Sequence, residues 1–277
     1  MGTDRIVSLW RRYISGMTFS SRIHLPLVAL LTVGTLAACG DDDSGSGDAA
    51  PLTPVSTDVA DLVLTAEEAP GGFSHLDIGE MIAEQTAGGD DDDVLGTIDQ
   101  INAGNSTDPV ECAALQPNQL TVIAQISDRP GEIAVAEFTA DDDPEVTVID
   151  SLVSTTAGEE RLPADLAGCG SFTTTFTDVF TGEGGESSYT LYSETSDAQI
   201  EGVEDARIIT VTADDGAPET WEPVNIVDGS IGGVYFRVTG HGSIDPQMLV
   251  GVAQTQVDPF IPLLNEFHDQ TFAASFY

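Results

Sequence analysis

Cys39 divides this chain into a part fit to be discarded and a part that must fold. It sits in Leu36-Ala37-Ala38-Cys39-Gly40, directly after an apolar run at residues 25–36 and directly before the acidic, small-residue stretch 41–48. The apolar run is shorter than the roughly 20 residues a membrane-spanning helix needs, and it suits a cleaved secretory signal. Arg5, Arg11, Arg12 and Arg22 precede it as the positive end that stays on the cytoplasmic side. Small residues before the cysteine and a glycine after it match the arrangement in which the preceding peptide bond is cut and the sulfur takes a diacylglycerol. The expectation is a signal peptide at 1–38, an acylated Cys39 with a stalk to residue 58, and one domain over 59–277. Ordinary export fits better than the twin-arginine route, because Arg11-Arg12 lies far from the apolar run, and Met17 is an alternative start.

The remaining cysteines follow from that assignment. With Cys39 acylated, Cys112 and Cys169 form an even pair in an oxidising compartment, and only one bridge is open to them. Such a bridge restricts the unfolded chain and is worth roughly 4 kcal/mol in the loop-entropy account. Neither cysteine belongs to a CxxC pair, and His75, His241 and His268 have no metal-like spacing to them, so zinc and a catalytic thiol are poor readings.

Charge narrows the partners. The chain has 8 basic and 47 acidic residues, a formal charge of −39, and no lysine. Removing residues 1–38 takes away four arginines and one aspartate, leaving −42 and four arginines, Arg129, Arg161, Arg207 and Arg237. Nucleic acid is excluded as a natural partner, since phosphate binding rests on clustered Lys and Arg. Anionic lipid head groups repel the same body, so two acyl chains would have to hold it at the outer face of the membrane. The acidity fits either adaptation to high salt or a solubilising surface.

Residues 40–58 are Asp, Gly, Ser, Ala, Pro and Thr with little apolar content, which reads as a flexible stalk. Thr65-Ala66-Glu67-Glu68 has capping-box spacing and predicts a short helix, ended by Pro70-Gly71-Gly72, with Phe73 as a core anchor. Residues 87–106 read as an exposed loop. Asp108-Pro109 predicts a helix over 108–126 carrying Cys112, Leu115, Leu120 and Ile123, broken near Pro117. Strands are expected at 133–139, 172–180, 188–195, 207–213 and 233–239, while 146–156 reads as strand or helix. Asp214-Asp215-Gly216 reads as a tight turn, and Asp245-Pro246 opens a second helix with Met248, Leu249, Val252, Val257 and Phe260 as its apolar stripe. The fold class expected is α+β: an antiparallel sheet packed against helices from the N- and C-terminal parts, stapled by one disulfide.

Three stretches carry a resemblance: Leu64-Thr65-Ala66-Glu67-Glu68-Ala69-Pro70-Gly71-Gly72-Phe73, Pro109-Val110-Glu111-Cys112-Ala113-Ala114-Leu115, and Leu166-Ala167-Gly168-Cys169-Gly170-Ser171-Phe172. On these the chain resembles small exported actinobacterial lipoproteins of unknown function. More distantly, it is similar to the extracellular sensor domain of mycobacterial Ser/Thr protein kinases. The resemblance covers residues 60–277 and implies a sheet packed on helices, a disulfide from the first long helix to a strand, and a cleft suited to a ligand. The sensor domains carry a second disulfide that this chain cannot form, so their ligands do not transfer. With no kinase domain and no transmembrane helix in this sequence, signalling would need a partner protein.

No stretch of the sequence specifies a reaction. There is no G-x-S-x-G elbow, and the glycine clusters at 182–185 and 229–233 follow no strand–GxGxxG–helix order. The acidic runs 90–93 and 141–143 do not match a calcium loop and read as solvated charge. His241, set between Gly240 and Gly242 after a strand, is a candidate ligand-binding residue, though a plain turn explains those glycines better. Trp221 and Tyr235 are candidates to face a cleft, with a core role equally open. The expected function is a non-catalytic envelope module binding a small ligand, a lipid or an envelope protein, without metal or cofactor. The alternative is a carboxylate-dependent, calcium-assisted envelope hydrolase. Cys39→Ala should abolish incorporation of labelled fatty acid and release a folded protein from the membrane; a variant that is still acylated would contradict the assignment.

Overall fold

Strand β7 (Arg207–Ala213) shows how this sequence makes its sheet. Ile209 and Val211 point to one side and are fully buried, while Thr210 and Thr212 point to the other. Eight further strands complete the sheet: β1 (Phe73–Asp77), β2 (Asn105–Asp108), β3 (Ile133–Ala140), β4 (Val148–Ser154), β5 (Ser171–Thr177), β6 (Glu186–Asp197), β8 (Val224–Ile231) and β9 (Val234–His241). The computed structural model describes residues 59–78, 104–116, 126, 129, 131–143, 147–155, 161–177, 186–218 and 221–261. Every pairing is antiparallel, and the strands form one sheet in the order β1-β3-β4-β9-β8-β7-β6-β5-β2.

Hairpins account for much of this order. β8 and β9 are joined by Gly232-Gly233, with φ of 58° and 84°. Two consecutive residues with positive φ make the tight turn that matches strand twist, and side chains there would be strained. Between Ala213 and Trp221, Asp214 begins a turn: its carbonyl accepts from Ala217 N–H at 3.1 Å and its Oδ1 from Gly216 N–H. This is the turn expected from Asp214-Asp215-Gly216.

Among the described residues the antiparallel sheet dominates and helices are few, so the expected packing of helices from both the N- and C-terminal parts is not supported. In the first piece of the helix expected over 108–126, a six-residue 3-10 helix spans Val110–Leu115, and residues 117–125 lie outside the described residues. Asp108, expected as its N-cap, is the last residue of β2 and pairs with Thr173, so the 3-10 helix begins only after Pro109. Leu120 and Ile123 lie outside the described residues. Single 3-10 turns occur at Val59–Leu62, Ala66–Glu68 and Ala167–Cys169. In the second of these, the Glu68 carboxylate accepts from both Thr65 N–H and Thr65 Oγ1–H, the closure its spacing predicts. The α-helix α1 (Pro246–Val257) starts where expected, with Asp245 Oδ1 accepting from Gln247 N–H.

Apolar side chains gather in two main clusters. The first lies under α1 and includes Phe138, Ile149, Phe236, Val238, Leu249 and Val257. Met248, expected on the apolar stripe, is 42% exposed, and Ala253 and Gln256 are buried instead. The second surrounds the disulfide and includes Leu115, Leu166, Phe172, Leu191 and Ile226. Cys112 and Cys169 are bonded, their Cα atoms 5.5 Å apart. The bridge joins the 3-10 helix Val110–Leu115 to the turn preceding β5, rather than a long helix to a strand. It closes a separation of 57 residues, so replacing both cysteines with serine should lower the unfolding free energy by up to roughly 4 kcal/mol in guanidinium titration. A change within about 0.5 kcal/mol would contradict that role.

Candidate functional site

The four arginines that follow residue 38 are the scarce resource of an acidic chain, and three of them converge. Arg207 on β7, Asp228 on β8 and Arg237 on β9 are directly opposite one another across three adjacent strands. The arginine fork meets the carboxylate at both ends: Nε to Oδ1 at 2.8 Å and Nη2 to Oδ2 at 2.9 Å. Arg207 Nη1 also donates to the Ala164 carbonyl at 3.0 Å. Asp228 is 2% exposed, so its charge is tolerated only with such partners. Hydrogen bonding to Asp228 raises the Arg207 pKa above its ordinary value, with burial working against it.

Tyr235 completes the group. Its hydroxyl donates to Asp228 Oδ2 at 3.3 Å and accepts from Leu162 N–H at 3.2 Å. The guanidinium of Arg161, the third arginine, stands 5.2 Å from the Tyr235 ring centroid. Burial pushes the Tyr235 pKa well up, and the Asp228 charge adds to that.

Above Arg207 opens a cleft of about 640 Å³. One wall is the segment 164–170 next to the disulfide, and the other is the 198–206 loop between β6 and β7. Ser193 and Thr195 of β6 and Arg207 supply its polar floor, and Asp197, Glu204 and Asp205 line it with carboxylates. Asp205 is already engaged, accepting from Ser230 N–H at 3.2 Å. The arrangement offers a ligand hydroxyls, carboxylates and one oriented guanidinium on a rigid sheet.

A second polar group lies on the same sheet face, further toward β3. Glu137, Asp150 and Thr239 are opposite one another across β3, β4 and β9, and Arg237 is the diagonal neighbour of Asp150. His241 Nε2 lies 3.3 Å from Asp150 Oδ2, within ion-pair distance but without hydrogen-bond alignment. Glu137 and Thr239 are each 1% exposed. This group is part of the packed interior, not of the cleft.

The three sequence candidates therefore separate. His241 ends β9, and its flanking glycines serve different ends: a Cβ at Gly240 would come within 3.0 Å of Leu249, whereas Gly242, with φ of 82°, takes the left-handed conformation of the turn that follows the strand. Tyr235 stands behind the cleft, in contact with Asp228. Trp221 packs half-buried on the disulfide cluster. None of the three lines the cleft. Of the residues that do, Arg207 could have been singled out by its rarity; Ser193, Thr195 and Glu204 carry no sequence signal. Cys39 lies outside the described residues, as do residues 90–93. Asp141 Oδ1 accepts from Ser74 Oγ–H at 2.7 Å, and the described residues contain no group of three side chains able to hold a metal ion.

No protein-family profile and no curated protein matches this chain.

Because the Tyr235 pKa is raised, the folded state keeps this proton at pH values where the unfolded chain loses it. That contribution is complete below about pH 10, the ordinary tyrosine value, and is lost as pH climbs toward the folded value. Thermal unfolding at rising alkaline pH should therefore fall more steeply for the natural protein than for Tyr235→Phe; parallel curves would contradict the burial of a neutral phenol against Asp228.

Proposed function

We propose that this chain is a lipid-anchored, non-catalytic binding module of the outer cell-envelope face, similar in kind to an extracellular sensor domain. The observation that carries the binding role is the Arg207 cleft. Its guanidinium is fixed by a bidentate contact to buried Asp228, and rigid donors recognise polar ligands at small ordering cost. The ligand class that fits is a small polar molecule presenting an acceptor to Arg207 and donors to Asp197 or Glu204. Localisation rests on Cys39 and the stretch around it, and no helix among the described residues is long and apolar enough to cross a membrane.

The hydrolase reading has one observation to draw on, the cross-strand carboxylates Glu137 and Asp150. Glu137 is buried at 1% exposure within the sheet's packed interior, which favours a structural role for this pair. The binding reading is stronger because its polar groups line an open cleft.

Native mass spectrometry of the full protein, extracted from bacterial envelopes in mild detergent, should show a bound small molecule. Thr195→Trp, at an exposed position on the cleft floor, should abolish it without altering thermal unfolding. Repeated recovery of bare protein, or the same adduct on the variant, would contradict the assignment.

A further inference from the structure

Arg207 does not use all of its donors on the protein. A guanidinium carries five N–H groups. Nε and Nη2 each spend one on Asp228, and Nη1 spends one on the Ala164 carbonyl. Among the described residues no other partner takes the remaining two, one each on Nη1 and Nη2. Asp197 stands directly opposite Arg207 in the pairing of β6 with β7, so the two share a sheet face. It lines the cleft, is exposed, and forms no ion pair with Arg207, whose fork is turned to Asp228. Uncommitted cationic donors and an uncommitted carboxylate therefore sit one strand apart, about 4.8 Å, in one opening. Glu204 adds a second exposed carboxylate from the 198–206 loop, while Asp205 is engaged by Ser230 N–H.

We propose that the Arg207 cleft binds a free aliphatic α-amino acid as its zwitterion, the carboxylate accepting from Nη1 and Nη2 of Arg207 and the ammonium donating to Asp197. The inference rests on the reading of this cleft as the binding site and names its ligand class. Charge selects against simpler ligands. Asp228 already matches the Arg207 charge, and Asp197, Glu204 and Asp205 line the same opening in a chain of charge −39, so an anion alone is repelled. A cation alone satisfies the carboxylates but covers the two guanidinium donors without giving them an acceptor. An α-amino acid carries carboxylate and ammonium on one carbon, which lets both reach side chains on neighbouring strands. The uncommitted guanidinium donors set this opening apart from exposed acidic turns such as Asp141–Asp143. The ligand's side chain meets exposed Ala164 and Ala167 on one wall and half-buried Val203 on the other, surfaces that suit a small aliphatic group. Asp228 fixes Arg207 before any ligand arrives, so little order is lost on binding.

Isothermal titration of the full protein in mild detergent with L-alanine, L-valine and L-leucine tests this, alongside their N-acetyl derivatives, which lack the ammonium, and their amides, which lack the carboxylate. At least one of the parent amino acids should bind, and blocking either end should weaken it by about tenfold or more, as for hydrogen bonds to charged groups. Asp197→Asn should weaken it by roughly tenfold and leave thermal unfolding unchanged, because the side chain is exposed. No binding by any of the parents, equal affinity for a blocked derivative, or Asp197→Asn equal to the natural protein would each overturn the proposal. If no amino acid binds while native mass spectrometry of envelope extracts shows another adduct that Thr195→Trp abolishes, the ligand class falls and the cleft's binding role stands. If that adduct is missing too, both fall.

Discussion

Strands β8 and β9 are buried on both faces, and that condition governs the rest of the domain. A strand covered on one side can turn its polar residues to water. These two cannot, so Asn225, Asp228, Arg237 and Thr239 depend on partners within the protein, and the Thr239 hydroxyl is left without a hydrogen bond among the described residues. Asn225 is satisfied by donating to the Ile244 carbonyl at 3.0 Å and accepting from Thr210 Oγ1 at 2.7 Å. Asp228 is satisfied by Arg207 and Tyr235, which ties β7, β8 and β9 together at one level of the sheet. The cleft is a consequence of this. Arg207 reaches inward to neutralise Asp228, and its other edge is left at the floor of an opening between the disulfide-linked segment and the 198–206 loop.

The disulfide acts at the other side of that opening. Cys169 fixes the segment that supplies Ala164, Leu166, Ala167 and Gly170 to the cleft wall, and Ser193 of β6 donates to the Cys169 carbonyl at 2.7 Å. One wall is thereby covalently and locally restrained, while the 198–206 loop is held through Ala198 N–H to the Ala206 carbonyl and Glu201 N–H to Gln254 of α1. A self-repelling chain gains from such restraint, because each fixed contact offsets electrostatic strain that salt only partly screens.

Much of the strand pattern was legible from the sequence. β3, β5, β6, β7 and β9 were visible as β-rich segments, with clear alternation in β6 and β7 and β7 read to its boundaries, because a one-sided strand with β-branched residues announces its period. β8 was not, since Val224–Ile231 is buried on both sides and contains Asn225, Asp228 and Gly229, which interrupt any period of two. β2 was read as loop and helix cap because Asn105–Asp108 has no apolar residue; only pairing with β5 makes it a strand. The Cys112–Cys169 bridge followed from counting. The cleft did not, because its wall at residues 164–170 precedes β5 and comes to face the 198–206 loop and Arg207 only once β5, β6 and β7 lie side by side.

The account's central claim is that Arg207 and Asp228 act as one unit that holds the sheet's middle and the cleft floor. A double-mutant cycle with Arg207→Ala, Asp228→Ala and the pair, read by guanidinium unfolding, measures it directly. The account predicts that the double variant is less damaged than the sum of the singles by at least about 1.5 kcal/mol, as befits charge-assisted hydrogen bonds to a buried carboxylate. Additivity within about 0.5 kcal/mol would show that the two residues stabilise the domain independently, and would contradict it.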